Sequence, residues 1–464
     1  MQNNKSFHIP RVMFAGASSG SGKTTVVCGI LKALKNRNIS VSSYKCGPDY
    51  IDPMFHKEVI GICSKNLDRF FCDDSLLKHL FCEHCVKNNS EIAITEGVMG
   101  VYDGISMDSS FASSYDVAKL LDMPTIIVIN AKGMALTLSA IIKGIVDFKP
   151  DSNIKGVILN NVSCGVYEKI KPIIENEVNI EVLGYLPHNK EVAFESRHLG
   201  LLTPEETSGV NVKIQKLSEI VEQTINIDRI IEIAKDTSKI YDDFDDCSVL
   251  NYKANHNIKI AVARDKAFCF YYEDNIELLR KMGCEIKYFS PLQDDKIPDD
   301  VSGVIIGGGY PELYCRQLSN NKKMLIDIKT KLVNGLPTLA ECGGFMYLHN
   351  SIVDKDGNAF DMAKVIEANA FYTGKLTRFG YIQLTAKNDS FILKKGQKIN
   401  GHEFHYWDST CNGNLFIAEK PNKNKSWECI INSNNVICGF PHLFYYSNID
   451  FIKNFVDMCI KYKK

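Results

Sequence analysis

The chain has 464 residues, enough for two or three domains at about 100–200 residues each. Its 54 Lys and Arg nearly balance its 55 Asp and Glu, and the formal net charge of -1 removes the general electrostatic case for a nucleic-acid partner. Hydrophobic residues make up 45% and charged residues 23%, which is typical of a globular protein in water, and no apolar run reaches the ~20 residues of a membrane span.

The first ten residues are polar and lack the basic and apolar segments of a signal peptide, which predicts a cytoplasmic protein. In a reducing compartment the 16 cysteines are expected to stay free thiols. Cys82 and Cys85, with Cys72 nearby, can also be interpreted as a metal site. The sequence lacks a second Cys pair at zinc-finger spacing, which favours ordinary thiols.

Strand-like apolar runs alternate with amphipathic stretches in the first half of the chain. The pattern predicts buried strands over residues 11–16, 91–95, 125–130 and 156–160, and helices over residues 24–36 and 112–121. Alternation of this kind is typical of a parallel sheet covered by helices on both faces.

A glycine-rich loop follows the first of these strands and fits the phosphate-loop pattern from Ala17 onward. Glycines let backbone N–H groups wrap phosphates at the N-terminus of the next helix. Partition-type ATPases carry a second Lys that would fall at Ser18, so that reading is disfavoured, as is a chance Gly/Ser turn. Lys23 is expected on the β- and γ-phosphates and Thr24 on Mg²⁺, and the residues assigned to ATP are Ser19, Gly20, Ser21, Gly22, Lys23, Thr24 and Thr25.

Two acidic loops are expected at the same edge of the sheet. Asp49 and Asp52 follow one predicted strand, and Glu96 and Asp103 follow another. Ligands of open parallel sheets bind beyond the carboxyl ends of the strands. We predict that Thr24, Asp49, Asp52 and Glu96 hold Mg²⁺, and that Asp103 acts on the acceptor or its intermediate.

The strand–helix pattern fails around residues 236–257, where several Asp residues stand among Ser and Asn. We predict a first domain at 1–240, an acidic linker at 241–256 and a second α/β domain at 257–464. Strands are expected in the second domain over 258–262, 285–289 and 303–306, with a helix over 275–282.

Cys342 lies in a Gly-rich turn between a short predicted strand and a helix, the pattern of a nucleophile elbow. The helix start is expected to lower the thiol pKa. Gly343 and the Gly308–Gly309 pair are predicted to supply oxyanion donors. The base is expected to be His442, and residues 401–405 offer two further candidates, His402 and His405.

These motifs, in this order, resemble the cobyrinate a,c-diamide synthase family over almost the whole chain. The first half is similar to its dethiobiotin-synthetase-like ATPase domain and the second to its class I glutamine amidotransferase domain. Residues 45–53, 261–272 and 401–405 resemble the diamide synthases more than the related cobyric acid synthases. The matching stretches are residues 17–25, 45–56, 66–68, 96–104, 156–160, 197–201, 261–272, 307–313, 341–348 and 401–405, with His442.

The resemblance implies an α/β fold with a P-loop parallel-sheet ATPase domain followed by a flavodoxin-like class I glutamine amidotransferase domain. It implies ATP- and glutamine-dependent amidation of the a and c acetate carboxylates of cobyrinic acid through acyl phosphates, with Mg²⁺, in cobalamin biosynthesis. Cys342 is then the glutaminase nucleophile, His442 its base, and Asn160 a further nucleotide-binding residue. The oligomeric state stays open, with a homodimer as one option.

Three positions depart from the family pattern. Phe444 replaces the second His of a His-x-His, the strand that ends at Asn130 lacks the usual Asp, and Gly307 replaces the Pro of Pro-Gly-Gly-Tyr. The usual triad Glu two residues after the base is also missing, which predicts a Cys–His dyad. Two alternatives remain: the same chemistry on hydrogenobyrinic acid or nickel-sirohydrochlorin, or a nucleotide-switched binding protein with an inactive amidotransferase domain.

Overall fold

The computed structural model of the protein describes residues 5–189, 192, 204–244, 252 and 258–463. The chain forms two units that divide between Phe244 and Asp245. The matching stretch 197–201 and most of the predicted linker lie outside the described residues. None of the helices in the described ranges combines the length and apolar character needed to cross a membrane.

The first unit is built on a seven-stranded sheet in which every neighbouring pair is parallel, with the order β4-β3-β5-β2-β6-β7-β8. The expected parallel sheet is therefore confirmed. The strands of this unit are β1 Lys5–Phe7, β2 Arg11–Gly16, β3 Val41–Cys46, β4 Ser64–Leu67, β5 Ile92–Glu96, β6 Thr125–Asn130, β7 Ile154–Asn160, β8 Glu181–Leu186 and β9 Ile240–Asp242.

Helices cover this sheet, and the one after the phosphate loop is the most deeply buried. Its apolar residues recur every three or four positions, so Val27, Ile30 and Leu34 face the core. The helices are α1 Lys23–Asn36, α2 Ile51–Phe55, α3 Asp74–Lys87, α4 Ser114–Leu120, α5 Leu136–Phe148, α6 Cys164–Val178, α7 Pro204–Thr224 and α8 Ile227–Lys235, with a π-helical turn at His56–Ile60.

The first unit also contains a two-stranded ribbon formed by β1 and β9. β1 pairs with β9 in antiparallel fashion, with Ser6 opposite Tyr241. Residues 241 and 242, which the sequence pattern assigned to the linker, are thus part of the first unit. The pattern missed β9 because three residues are too short to show a period of two.

The second unit contains a six-stranded sheet in the order β12-β10-β13-β15-β25-β24, parallel except for the edge pair β24–β25. Counted along the chain, the five parallel strands follow the order 2-1-3-4-5, which is the flavodoxin-like order expected. These strands are β10 Lys259–Ala263, β12 Glu285–Phe289, β13 Gly303–Ile306, β15 Thr338–Glu341, β24 Ile431–Ser433 and β25 Val436–Gly439.

Smaller sheets flank this core, antiparallel except for the pair β16–β18, and they were not anticipated from the sequence. A five-stranded sheet has the order β23-β22-β19-β20-β26, a four-stranded sheet the order β17-β16-β18-β21, and β11 pairs with β14. Their strands are β11 Phe268–Phe270, β14 Gly308–Gly309, β16 Ser351–Val353, β17 Ala359–Asp361, β18 Asn369–Tyr372, β19 Arg378–Ala386, β20 Lys398–His405, β21 Trp407–Ser409, β22 Phe416–Glu419, β23 Ser426–Cys429 and β26 His442–Leu443.

The helices of the second unit are mostly short, and they position the ends of the parallel strands. They are α9 Glu273–Lys281, α10 Cys315–Asn320, α11 Lys322–Val333, α12 Gly343–Leu348 and α13 Ile449–Lys463, with 3-10 turns at Pro311–Leu313 and Tyr445–Ser447. The core between them is continuous with the inner strands of the flavodoxin-like sheet, and it includes Phe345, Tyr347 and Phe440.

Candidate active sites

The phosphate loop joins β2 to α1. Gly22 precedes the helix with φ 93°, a left-handed conformation that favours glycine. Asn160, at the end of β7, donates from Nδ2 to the Ser21 carbonyl at 2.9 Å. A β carbon on Gly22 would lie 1.9 Å from that same amide nitrogen. Asn160 therefore buttresses the loop, and a side chain larger than glycine at position 22 would displace it.

Lys23 is buried with its ammonium held by the loops around it. Nζ donates to the Ser18 carbonyl at 3.1 Å and to the Met99 carbonyl at 2.6 Å. Burial and then the neighbouring Lys45 lower the pKa of Lys23 to about 8. The ammonium thus lies where the loop carbonyls and the second acidic loop meet, beside the N-terminus of α1.

A buried cluster of opposite charges lies at the same edge of the sheet. Lys45 Nζ is 2.8 Å from Glu96 Oε1 and 2.5 Å from Asp52 Oδ2. The contact follows from strand register, because Lys45 and Glu96 are partners across the parallel pair β3–β5. Thr24 Oγ1 donates to Glu96 Oε1 at 2.6 Å, which ties the first turn of α1 to the cluster.

The charges in this cluster set one another's pKa values. Burial raises the pKa of Glu96 to about 7, against the opposing effect of Lys45. Burial alone would lower the pKa of Lys45 and raise that of Asp52. The negative charges of Glu96 and Asp52 reverse the direction for Lys45, and the positive charge of Lys45 reverses it for Asp52, so Lys45 stays protonated and Asp52 ionised.

The oxygens of Thr24 and Glu96 suit Mg²⁺, which prefers hard oxygen ligands and commonly combines one or two carboxylates with substrate phosphates. Glu96 Oε2 is buried and makes no hydrogen bond to the described residues. Asp49 is used differently: its Oδ1 accepts from the backbone N–H groups of Ile51 and Asp52 at 2.8 and 3.2 Å. In the structure, Thr24 is hydrogen-bonded to Glu96, and Lys45 bridges Glu96 and Asp52.

Asp103 lies on a loop that is attached to the phosphate loop. Its Oδ2 accepts from the Gly100 N–H at 2.8 Å, and the Val101 N–H donates to the Gly16 carbonyl at 2.8 Å. A β carbon on Gly100 would lie 3.0 Å from the Ala17 carbonyl. The loop therefore packs on the phosphate loop, with Asp103 folded back onto its own turn.

Two members of this site were not singled out from the sequence. Lys45 is one, and His56 is the other, with its Nε2 4.0 Å from Glu96 Oε2 and its Nδ1 3.0 Å from Ser43 Oγ. The signal for Lys45 was its position at the end of β3, directly before the turn that carries Asp49. A Lys at the carboxyl end of an otherwise buried strand needs a partner for its charge.

The alternative metal site in α3 finds no support among the residues described. Cys85 Sγ lies 3.1 Å from the hydroxyl of Tyr44, in the apolar packing under the helix. Within the described ranges, no three His, Cys, Asp or Glu side chains are arranged to hold a metal ion.

In the second unit, Cys342 stands at a strained turn between β15 and α12. Its φ is 49° and its ψ -103°, an unusual conformation for a residue other than glycine. Three backbone bonds hold the turn: Cys342 N–H to Gly439 O at 2.8 Å, Gly344 N–H to Gly307 O at 2.9 Å, and Met346 N–H to Cys342 O at 3.0 Å. This is the strand–turn–helix geometry of a nucleophile elbow.

The glycine strip β14 lies between the elbow and His442. A β carbon on Gly308 would lie 2.3 Å from His442 Cε1, so only glycine lets the backbone approach the ring this closely. A β carbon on Gly343 would lie 3.2 Å from Gly309 N. The structure therefore brings together the three predicted oxyanion glycines, the elbow and the predicted base.

The resting pair is neutral. Burial raises the pKa of the Cys342 thiol, and the Gly343 N–H offsets only part of that effect. Burial likewise lowers the pKa of His442 to about 3. The expectation that the helix start would favour a thiolate is therefore wrong for this state, because α12 has only six residues and the thiol is buried.

The other two candidate bases have different surroundings. The His402 ring stacks on His442, with centroids 4.9 Å apart and planes 17° from parallel. His405 instead places Nδ1 2.6 Å from the Trp407 carbonyl and stacks on Phe440. Phe444 occupies the position where a triad carboxylate would stand, and its ring packs on Tyr272.

Comparison with known proteins agrees with this division into two units. The CobQ/CobB/MinD/ParA nucleotide binding domain matches residues 12–201, and the CobB/CobQ-like glutamine amidotransferase domain matches residues 259–449. A protein of Clostridium acetobutylicum named cobyrinate a,c-diamide synthase is 40% identical, over 96% of this chain and 99% of its own. A Thermoplasma volcanium protein of the same name is 39% identical, over 98% of both chains.

Proposed function

The chain belongs to the cobyrinate a,c-diamide synthase family, and from that premise we propose how its two sites carry out one reaction. The family makes it an amide-forming ligase that binds a nucleotide in its first unit and uses glutamine in its second. The acceptor that the family name gives is cobyrinic acid, in cobalamin biosynthesis.

In the first unit, an acetate carboxylate of cobyrinic acid attacks the γ-phosphorus of ATP. The bond to the ADP oxygen breaks and an acyl phosphate forms. The Lys23 ammonium lies beside the phosphate loop, where it would neutralise the developing charge. Thr24 and Glu96 would hold Mg²⁺, which when bound neutralises phosphate charge, and Asp103 would act on the acceptor. Ammonia then attacks the acyl carbon and phosphate leaves, first at one of the a and c positions and then at the other.

In the second unit, Cys342 Sγ attacks the amide carbon of glutamine while His442 accepts the thiol proton. The backbone donors of Gly343 and of the Gly308–Gly309 strip face the developing oxyanion. Ammonia leaves with the proton from His442, and water hydrolyses the thioester to glutamate. A neutral Cys–His pair fits this order, since the proton moves only when the substrate arrives.

The observation that carries the proposal is the strained Cys342 turn, with His442 across the Gly308 strip, in a chain that also has a phosphate loop. A binding protein with a decayed second domain would have no need for this strain. The described cysteines are free thiols, which supports work in the reducing cytoplasm.

The test is the mass of the product after incubation with cobyrinic acid, ATP, Mg²⁺ and glutamine. We expect two amidations, with glutamine-dependent release of ADP. Parallel incubations with hydrogenobyrinic acid and with nickel-sirohydrochlorin identify the preferred macrocycle, and light scattering of the same sample tests a homodimer. An unchanged mass for cobyrinic acid, together with glutamine-independent ADP release, would overturn the proposal.

A further inference from the structure

The backbone register of the five-stranded sheet places a second imidazole beside the predicted base. His402 on β20 is the direct partner of His442 on β26, and Gly401 is the partner of Leu443. Opposed residues of an antiparallel pair point to the same face of the sheet. The stacking of the two rings at 4.9 Å therefore follows from strand pairing and not from a flexible side-chain contact.

Tyr272 holds the ring of His402 in place. Tyr272, which precedes α9, is buried and places its hydroxyl 2.8 Å from His402 Nδ1. The bond is satisfied when the phenol donates to Nδ1, which puts the His402 proton on Nε2. The first turn of α9 is also hydrogen-bonded to β26, the strand that carries His442, and to the residues after it. Asn275 donates to the Leu443 carbonyl and accepts from the Tyr445 N–H, at 2.8 and 2.9 Å.

Both rings are neutral at rest, since burial lowers the pKa of each, and the charge of His442 would lower that of His402 further. Only one of two stacked imidazoles can hold a proton at little cost. When the thiol proton reaches His442, the ring of His402 remains neutral. Because it stays stacked on His442, it keeps the plane of the His442 imidazolium fixed. The residue two positions after the base is Phe444, which cannot orient the imidazole as a triad Glu would.

We propose that Tyr272 and His402 are positioning residues of the glutaminase site. Tyr272 holds the His402 ring through Nδ1, and the stacked ring of His402 fixes the plane of His442 toward Cys342. This inference rests on the proposed glutaminase function of the second unit. It predicts that the flat ring at position 402 matters more than its nitrogen atoms.

The test compares His402→Ala, His402→Phe and Tyr272→Phe in the full chain by steady-state glutamine hydrolysis. We expect kcat to fall about 10- to 100-fold in His402→Ala, the size expected for a misplaced catalytic group. His402→Phe should recover most of that loss, because it restores a flat ring. Tyr272→Phe keeps the ring of His402 and loses only its hydrogen bond, so its kcat should fall by a small factor similar to that in His402→Phe. The matched control is Tyr288→Phe, which removes a hydroxyl bonded to Arg264 and Arg280 instead.

A second measurement separates positioning from general damage. The Kd for glutamine, measured by calorimetry with Cys342→Ser added to each variant, should stay at the value of Cys342→Ser alone. A wild-type kcat in His402→Ala, equal losses in His402→Phe and His402→Ala, or a Kd that rises as kcat falls would each overturn the inference. The proposed function fails separately, if the wild-type protein does not hydrolyse glutamine.

Discussion

The two sites of this protein solve the problem of burial in opposite ways. Around the phosphate loop, Lys23, Lys45, Asp52 and Glu96 are all buried, and pairing with Lys45 keeps Asp52 ionised and opposes the effect of burial on Glu96. Around the elbow, burial raises the pKa of Cys342 and lowers that of His442, which keeps both groups neutral. A site that must hold a polyanion retains charge, whereas a site that must move one proton begins without it.

Cys342→Ser is expected to separate the activities of the two sites most clearly. Glutamine-driven amidation should be lost, by a factor on the order of 10⁶ as for other covalent nucleophiles. Amidation driven by added ammonia should continue, since the carboxylate is activated in the first unit. The measurement is product mass with each nitrogen donor. Loss of both activities in a folded variant would contradict the division of labour.

Lys23→Ala is the counterpart in the first unit, and it should slow synthesis by about 10²-fold or more with either donor. The substitution removes a positive charge from the phosphates in the transition state. Rates with glutamine and with ammonia, at saturating ATP, are the readout. Wild-type turnover with ammonia would remove the phosphate loop from the mechanism.

Lys45→Met tests whether paired charge supports the first site. It leaves Asp52 and Glu96 buried without their cation, and we expect the unfolding free energy of the first unit to fall by about 3–5 kcal/mol. Both tryptophans, Trp407 and Trp427, lie in the second unit, so hydrogen exchange of first-unit peptides is the suitable measurement.

Adding Glu96→Gln to Lys45→Met provides the control for that experiment. It removes one of the two carboxylates left without a cation, and it should restore part of the stability. Unchanged protection of the first-unit peptides in Lys45→Met would show that the pairing contributes little.

The smallest expected effect is a change in Mg²⁺ dependence that distinguishes the roles of Glu96 and Asp103. Glu96→Gln should raise the Mg²⁺ needed for half-maximal rate by about 10-fold, with ATP below saturation. Asp103→Asn should leave the Mg²⁺ curve nearly unchanged and instead slow turnover or the second amidation. Identical Mg²⁺ curves for wild type and Glu96→Gln would contradict the assignment of Glu96 as a Mg²⁺ ligand.

Local patterns in the sequence predicted the elements well where burial is continuous. The strands at 11–16, 125–130 and 303–306 match β2, β6 and β13 residue for residue, because mostly apolar runs mark buried strands. The strand at 285–289 also matches β12, although that strand is only partly buried. The phosphate loop and the elbow were equally visible, since each depends on glycines next to a strand end.

Features that depend on pairing between distant segments were missed. The bond between Lys45 and Glu96 requires the register of β3 on β5, and the two residues are 51 positions apart along the chain. The stack of His402 on His442 requires the register of β20 on β26. The pKa of Cys342 was misjudged for the same reason, because the helix start is local information and the burial of the thiol is not.

The burial of Cys342 has a practical consequence for labelling. Cys63, Cys164 and Cys411 are exposed, so a general alkylating reagent will modify these thiols first and leave enzyme that still works. Reagents that imitate the glutamine side chain bring their electrophile to the neutral thiol and meet His442 there. Covalent inhibitors of this protein must therefore gain their selectivity from shape, since the resting nucleophile offers them no unusual reactivity.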